Sequence, residues 1–419
     1  MEVPKSLNFL SVFIFAFICG TIIFPAFAFM NTNSIHYIQY IPIISLFVFT
    51  IMVFWKLSQG DRILFDFIFA YLIYYFISNV IIHGPPKYSY DFLFPILLLT
   101  TYGLYKNYRN SKIIRTILLI YLIVCVIESF IGMSQVLFGV PKFEHLALEL
   151  EEDDRNYFAF FLASFSRNTT MATGTFLHFN SLGSALVIGI PIAYALFIKE
   201  KKVIYLIATF IIFMGIIFTF SRGSLIGAMI ALSILYFSFT RGKYMKIYIA
   251  ILIMFIGALI FTNIIVSYAE ETGHASPRFD TWSYSFEYAL KQPINLFFGY
   301  GLSFFKSEVL AHKTTVLSNI HNAFLMIFLE QGIVGSILFL LGSIHVFKKA
   351  FVRKAEVNAY LLVAIMAGFY FTQIFDHAFF GTNGLILFIM IALLQDPLID
   401  EKESKIKISR VRQAPSYVS

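Results

Sequence analysis

Residues 203–239 read VIYLIATFIIFMGIIFTFSRGSLIGAMIALSILYFSF. Two apolar runs, at about 203–220 and 224–239, flank one short polar break, Ser221-Arg222-Gly223-Ser224. A run of roughly 20 apolar residues is what an α-helix needs to cross a hydrocarbon core about 30 Å thick. The stretch therefore predicts two membrane spans joined by a tight turn. Outward from it the pattern repeats at about 7–29, 37–57, 63–82, 90–105, 116–138, 176–198, 247–268, 322–345, 357–376 and 380–395. The chain has 419 residues, 59% of them hydrophobic and only 13% charged, against roughly 25% charged in soluble domains. A soluble globular protein is excluded. The expected fold is an all-α polytopic membrane protein of about 12 transmembrane helices. Phe and Tyr, at 51 and 24 residues, suit lipid-facing surfaces and interface belts. Cys19 and Cys125 lie inside apolar runs, where neither a disulfide framework nor a thiolate metal site is expected.

Orientation follows from the basic residues. With the N-terminus inside, the cytoplasmic segments hold 22 of the 31 lysines and arginines, and the other nine are spread over longer loops. The positive-inside rule then places both termini in the cytoplasm, and the basic balance requires no nucleic acid. Ala26-Phe27-Ala28 resembles a signal-peptidase site, but the preceding run is long for a signal peptide and is expected to stay as a span. The expected organisation is spans 1–5 over 1–138, an outer loop over 139–175, spans 6–9 over 176–268, a large outer loop over 269–321, spans 10–12 over 322–395 and a basic tail over 396–419. The first loop carries the acidic run Glu149, Glu151, Glu152, Asp153 and Asp154, which has no histidine among it and reads as a solvated face rather than a metal site.

Polar chemistry gathers at the outer ends of the later spans: His178, Asn180, Ser221, Arg222, Arg278, His321, Asn322, Asp376 and His377. Within spans, Asp66, Glu128 and Glu330 are the ionisable groups a transporter would use. No repeat relates the halves, and the outer clustering favours a reaction at the membrane boundary. Arg222 either snorkels to lipid headgroups or presents a guanidinium fork to a phosphate or pyrophosphate. Ser224 with Ala228 and Gly227 with Ala231 would let a neighbouring helix approach. His321 is either an interfacial residue or a proton acceptor at neutral pH. On a straight helix Gly332, Gly335, Ser336, Gly342 and Ser343 form one stripe beneath His321, serving helix packing or a lipid groove, and Glu330 points to the opposite face.

In this order these elements resemble the O-antigen ligase and O-antigen polymerase superfamily of bacterial membrane glycosyltransferases. The pieces are Gly174-Thr175-Phe176 with His178 and Asn180 ahead of Pro191, then Thr219 through Gly223, Arg278 with Trp282, Gly299-Tyr300-Gly301, and His321-Asn322 leading to Glu330, Gly332 and Gly335. Members often carry an arginine where this chain has Met171, and Arg167 is the nearest substitute. The resemblance implies transfer of a glycan from undecaprenyl-pyrophosphate to an acceptor hydroxyl at the periplasmic face of the inner membrane, with no metal or other cofactor. It implies pyrophosphate binding by Arg222 and Arg278, and a general-base role for His321. Asn322, Ser221, His178, Asn180 and Glu330 would support them. The acceptor is a growing repeat-unit chain in a polymerase and the lipid A core in a ligase; the Gly174 to Asn180 stretch leans slightly to the polymerase. Chain-length or assembly proteins are further expected partners. A lipid-linked glycan flippase, dependent on Asp66 and Glu128, and a silent scaffold are the competing readings.

Overall fold

The structure, a computed structural model, describes residues 70, 71, 74, 111–140, 171–176, 178–239, 278–291, 293–301, 320–353, 356–376 and 382–395. Among the described residues every regular element is a helix: α1 (Ser111–Leu137), α2 (Phe179–Glu200), α3 (Val203–Phe218), α4 (Arg222–Phe239), α5 (Arg278–Leu290), α6 (Pro293–Phe298), α7 (Ala323–Val352), α8 (Val357–Gln373) and α9 (Thr382–Leu394). Helices α1, α2, α4 and α7 are long and apolar enough to cross a membrane, and α3, α8 and α9 are apolar but shorter. The spans expected at 7–29, 37–57, 90–105 and 247–268 lie outside the described residues, as do all but three residues of 63–82, the acidic run, Arg167, His377 and the tail.

The helices alternate in direction. Arg115 near the start of α1 is bonded to Glu200 at the end of α2 (2.7 Å), whereas Gln135 near the end of α1 reaches Gly174 just ahead of α2 (2.7 Å). At that second end, the N–H of Ala172 donates to the Phe218 carbonyl closing α3, and Asn383 of α9 donates to the Ser181 carbonyl of α2. The N–H of Ala323, first in α7, donates to the Asp376 carbonyl just beyond α8. At the opposite end, Arg353 after α7 donates to the Leu394 carbonyl of α9. Phe239 and Arg278 thus fall at opposite ends of the bundle, since Trp282 of α5 bonds the Ile320 carbonyl next to α7.

Helix α2 is the centre, buried from Leu182 through Leu196 and wrapped by α1, α3, α4 and α8. The small residues expected to admit a neighbour do so at one crossing: a Cβ on Gly227 would stand 2.6 Å from the Gly368 carbonyl oxygen, so α4 and α8 meet backbone to backbone. The outer faces are apolar, with Ile204 and Ile207 on α3, Ile123 and Phe130 on α1, and Leu340 and Ile344 on α7 all exposed. Left bare, such faces match a hydrocarbon surround rather than water.

Two local expectations are corrected. Arg222 is already the first residue of α4, and the turn is made one step earlier by Thr219 and Phe220, the latter at φ 54°. The single stripe beneath His321 does not exist, because α7 is broken at Gly332 (φ 65°, ψ −169°). Beyond the break Gly335 faces Gln331 and Tyr74, Ser343 meets the Tyr370 hydroxyl at 3.0 Å, and Gly342 looks onto open space.

The break is filled from outside. The freed carbonyls of Leu329 and Glu330 accept from the N–H groups of Tyr300 (2.8 Å) and Gly301 (3.0 Å). The Tyr74 hydroxyl reaches the carbonyls of Gln331 and of Phe298 at the end of α6. Buried carbonyls need partners, above all in a membrane, and the segment after α6 supplies them.

Candidate functional site

The site end of the bundle is assembled from helix starts. His178 caps α2: its Nδ1 accepts the N–H of Asn180 at 3.2 Å. Asn322 caps α7, with Oδ1 accepting the N–H of Leu325 at 2.9 Å. Ser221 precedes α4, and its Oγ accepts from the Ser224 hydroxyl at 2.9 Å and more distantly from the Ser224 N–H at 3.4 Å. Polar caps of this kind supply the acceptors that helix starts lack. Three of the residue types that suggested chemistry in the sequence are therefore also doing capping.

His321 is different, because no helix start requires it. Its backbone lies in the left-handed region at φ 48°, a strain of about 1 kcal/mol or more for a residue with a Cβ. The flanks hold it there. Trp282 Nε1 donates to the Ile320 carbonyl at 2.7 Å, Asn322 caps α7, and the Ala323 N–H is tied to Asp376. The strained residue brings the imidazole beside the Asp376 carboxylate, with Nδ1 and Oδ1 4.0 Å apart and the side chains 21% and 6% exposed. That separation exceeds a hydrogen bond, so the two side chains face each other without being bonded directly. The His178 ring stands 6.3 Å from that of His321, centroid to centroid.

Arg222 is exposed at the first position of α4, and a Cβ on its neighbour Gly223 would touch the Phe375 ring at 3.4 Å. Arg278 is the first residue of α5. One turn later Trp282 packs on the same Phe375 ring, 6.5 Å between centroids. Both arginine-bearing helix starts thus border the segment Phe375-Asp376. Asn180 and Ser221 are buried behind them. A Cβ on Gly183 would meet the Ser221 and Ser224 side chains, so α2 and α4 start in close contact.

Glu330 is not among these groups. It is buried at the break in α7, where its carbonyl bonds Gly301 and its side chain lies near Tyr71. Glu128 also has a structural position: its carboxylate accepts from both the N–H (2.8 Å) and the hydroxyl (2.5 Å) of Thr175. Gln135 completes the clasp, taking the N–H groups of Thr173 and Gly174 and donating to the Gly174 carbonyl. The Gly-Thr-Phe segment is thereby fixed to α1, three residues ahead of His178. Replacing Thr175 by Val should cost roughly 1–3 kcal/mol, because the buried Glu128 carboxylate loses a hydroxyl donor. Thermal unfolding of the purified variant measures it, and an unchanged midpoint would contradict this assignment.

Sequence reasoning had no means of joining Asp376 to His321, which are far apart in the chain and carry no spacing signal. The sequence places both among the polar residues at the outer ends of the later spans, without pairing them. No curated protein matches the chain. Residues 207–340, which contain Arg222, Arg278, Trp282, Gly299-Tyr300-Gly301 and His321, match the family described as O-antigen ligase, within a helical, apolar chain.

Proposed function

We propose that the chain is an inverting glycosyltransferase of the bacterial inner membrane, with its termini in the cytoplasm and the His321 end facing the periplasm. It moves a glycan from undecaprenyl-pyrophosphate to an acceptor hydroxyl. The observation that carries the proposal is the approach of His321 to the shielded Asp376 carboxylate at 4.0 Å, beside a family domain that includes His321. The acceptor hydroxyl gives its proton to His321, and its oxygen forms the new bond to the anomeric carbon. The bond from that carbon to the phosphate oxygen breaks, and undecaprenyl-pyrophosphate leaves with the electron pair. Asp376 stabilises the imidazolium formed, the ordinary task of a carboxylate beside a general base. Arg222 and Arg278 hold the pyrophosphate and offset the growing charge on it.

The acceptor we favour is the growing repeat-unit chain, on the Gly174 to Asn180 stretch, which makes the enzyme a surface polysaccharide polymerase. The alternative is a ligase, the word in the matched family's description, which would transfer the glycan to the lipid A core. The flippase reading is weakened by Glu128, whose carboxylate is engaged by Thr175.

The test is the lipopolysaccharide banding pattern of a deletion strain complemented with variants. One repeat unit on the core identifies a polymerase, bare core with accumulated carrier-linked polymer a ligase, and an unchanged pattern overturns both. In the same strain Arg222→Lys is expected to lower transfer at least tenfold, because an ammonium keeps the charge and loses the two-pronged geometry. Full complementation by Arg222→Lys would remove the pyrophosphate clamp.

A further inference from the structure

We infer that the end of the bundle away from His321 binds an anionic phospholipid of the surrounding leaflet, in a groove between α1, α2 and α8. The groove is lined by Ser111, Arg115, Lys199 and Asn358 at its mouth and by Leu196 and Leu361 among its floor residues. This goes beyond the proposed glycan transfer and does not depend on it.

Charge decides the occupant. Arg115 stands in the first turns of α1 and Lys199 in the last turn of α2. Lys202 lies beside them, bonded to Glu200 at 3.1 Å. Among the described residues the acids at this end are matched: Glu200 accepts from Arg115 and Tyr205 as well as Lys202, and Glu356 is paired with Arg353. Among the described residues the lining of the groove contains no acid and two cations, Arg115, which is paired with Glu200, and Lys199. Helices α1 and α8 begin at its rim and α2 ends there, so the helix termini offset one another and the sign of the groove is set by its side chains.

The floor excludes a purely soluble anion as the best fit. Ile114, Leu118, Leu196 and Leu361 are buried beneath the charged rim, and the neighbouring outward faces are apolar, with Ile113, Val203 and Ile204 exposed. A ligand with a phosphate head and acyl chains satisfies both surfaces, its head in the groove and its chains along those faces. Basic recesses between spans recognise anionic headgroups in this way.

The full-length protein, purified in detergent, would be titrated with phosphatidylglycerol and with phosphatidylcholine and read by native mass spectrometry. The expected result is retained phosphatidylglycerol adducts and weak phosphatidylcholine adducts. Lys199→Gln should weaken phosphatidylglycerol about fivefold, and the Lys199→Gln, Arg115→Gln pair about thirtyfold, at about 1 kcal/mol per basic residue. Lys199 makes no bond on which the fold depends in the way Glu200 depends on Arg115, so the single variant keeps the test sound if the double variant unfolds. Equal retention of both lipids, or unaltered affinity in Lys199→Gln, overturns the site. Displacement of the lipid by millimolar inorganic phosphate would identify a soluble anion as the occupant and overturn it equally.

Discussion

His321→Ala is expected to lower glycan transfer by about 10²–10⁴-fold, the usual contribution of a positioned general base, while the protein still accumulates in the membrane. The accumulation matters, because His321 contributes no helix cap and packs at 21% side-chain exposure. Its left-handed backbone, φ 48°, costs Ala about what it costs His, since both carry a Cβ, and the accumulation of the variant is what shows the fold intact. A loss of transfer therefore cannot be attributed to loss of fold. Asp376→Asn is the companion measurement. If the carboxylate stabilises the imidazolium formed during transfer, kcat falls while KM and the amount of protein in the membrane stay near those of the parent chain. A structural role alone would lower the amount of protein and leave kcat per molecule in place. Transfer by His321→Ala at the level of the parent chain would remove His321 from the chemistry, whatever Asp376→Asn does.

The membrane fold is legible in the sequence wherever one run of apolar residues is bounded by charge. Val203 follows Lys201 and Lys202, and α3 begins there; Ser221 and Arg222 interrupt the next run, and α4 starts within two residues of the expected position. Hydropathy alone decides such boundaries. It cannot decide what a polar residue in or beside a span is for. Glu128 reads as a transport carboxylate until Thr175 is seen to donate to it twice. His178, Asn322 and Ser221 read as chemistry, and the structure shows each capping a helix as well. Asp376 is visible in the sequence as one of the outer polar residues, but its pairing with His321 is a contact across the chain that no local pattern encodes.

The break in α7 was hidden for a related reason: a helical projection assumes the helix it projects. Gln331-Gly332 interrupts the apolar run by one polar residue and one glycine, which reads equally well as a packing stripe. What fixes the other outcome is Gly299-Tyr300-Gly301, more than thirty residues upstream of Gly332 at its first glycine, whose N–H groups occupy the carbonyls the break releases. Two weak signals become one strong one only when the backbone brings them together.

Gly332→Ala is accordingly expected to be among the most damaging single methyl additions in the chain. At φ 65° and ψ −169° the residue occupies a region essentially reserved to glycine, and the new methyl would overlap the Phe297 carbonyl and the Gly299 backbone. Neither obstacle is a flexible side chain, so relief requires expelling the segment after α6 and leaving the Leu329 and Glu330 carbonyls without donors. Strain of about 1–3 kcal/mol and lost pairing of about 1–3 kcal/mol per buried group together approach the 5–15 kcal/mol by which proteins are stable at all. Gly299→Ala meets the same wall from the other side, at φ 81° with the Glu330 carbonyl in the way. Gly342→Ala is the control: it lies in the same helix with nothing near the added methyl, and should be neutral or stabilising by up to about 1 kcal/mol. Membrane accumulation and thermal unfolding of the three variants, measured side by side, decide the matter. If Gly332→Ala and Gly342→Ala accumulate and melt alike, α7 can run straight, and the clasp by Tyr300 and Gly301 is not what holds this part of the bundle together.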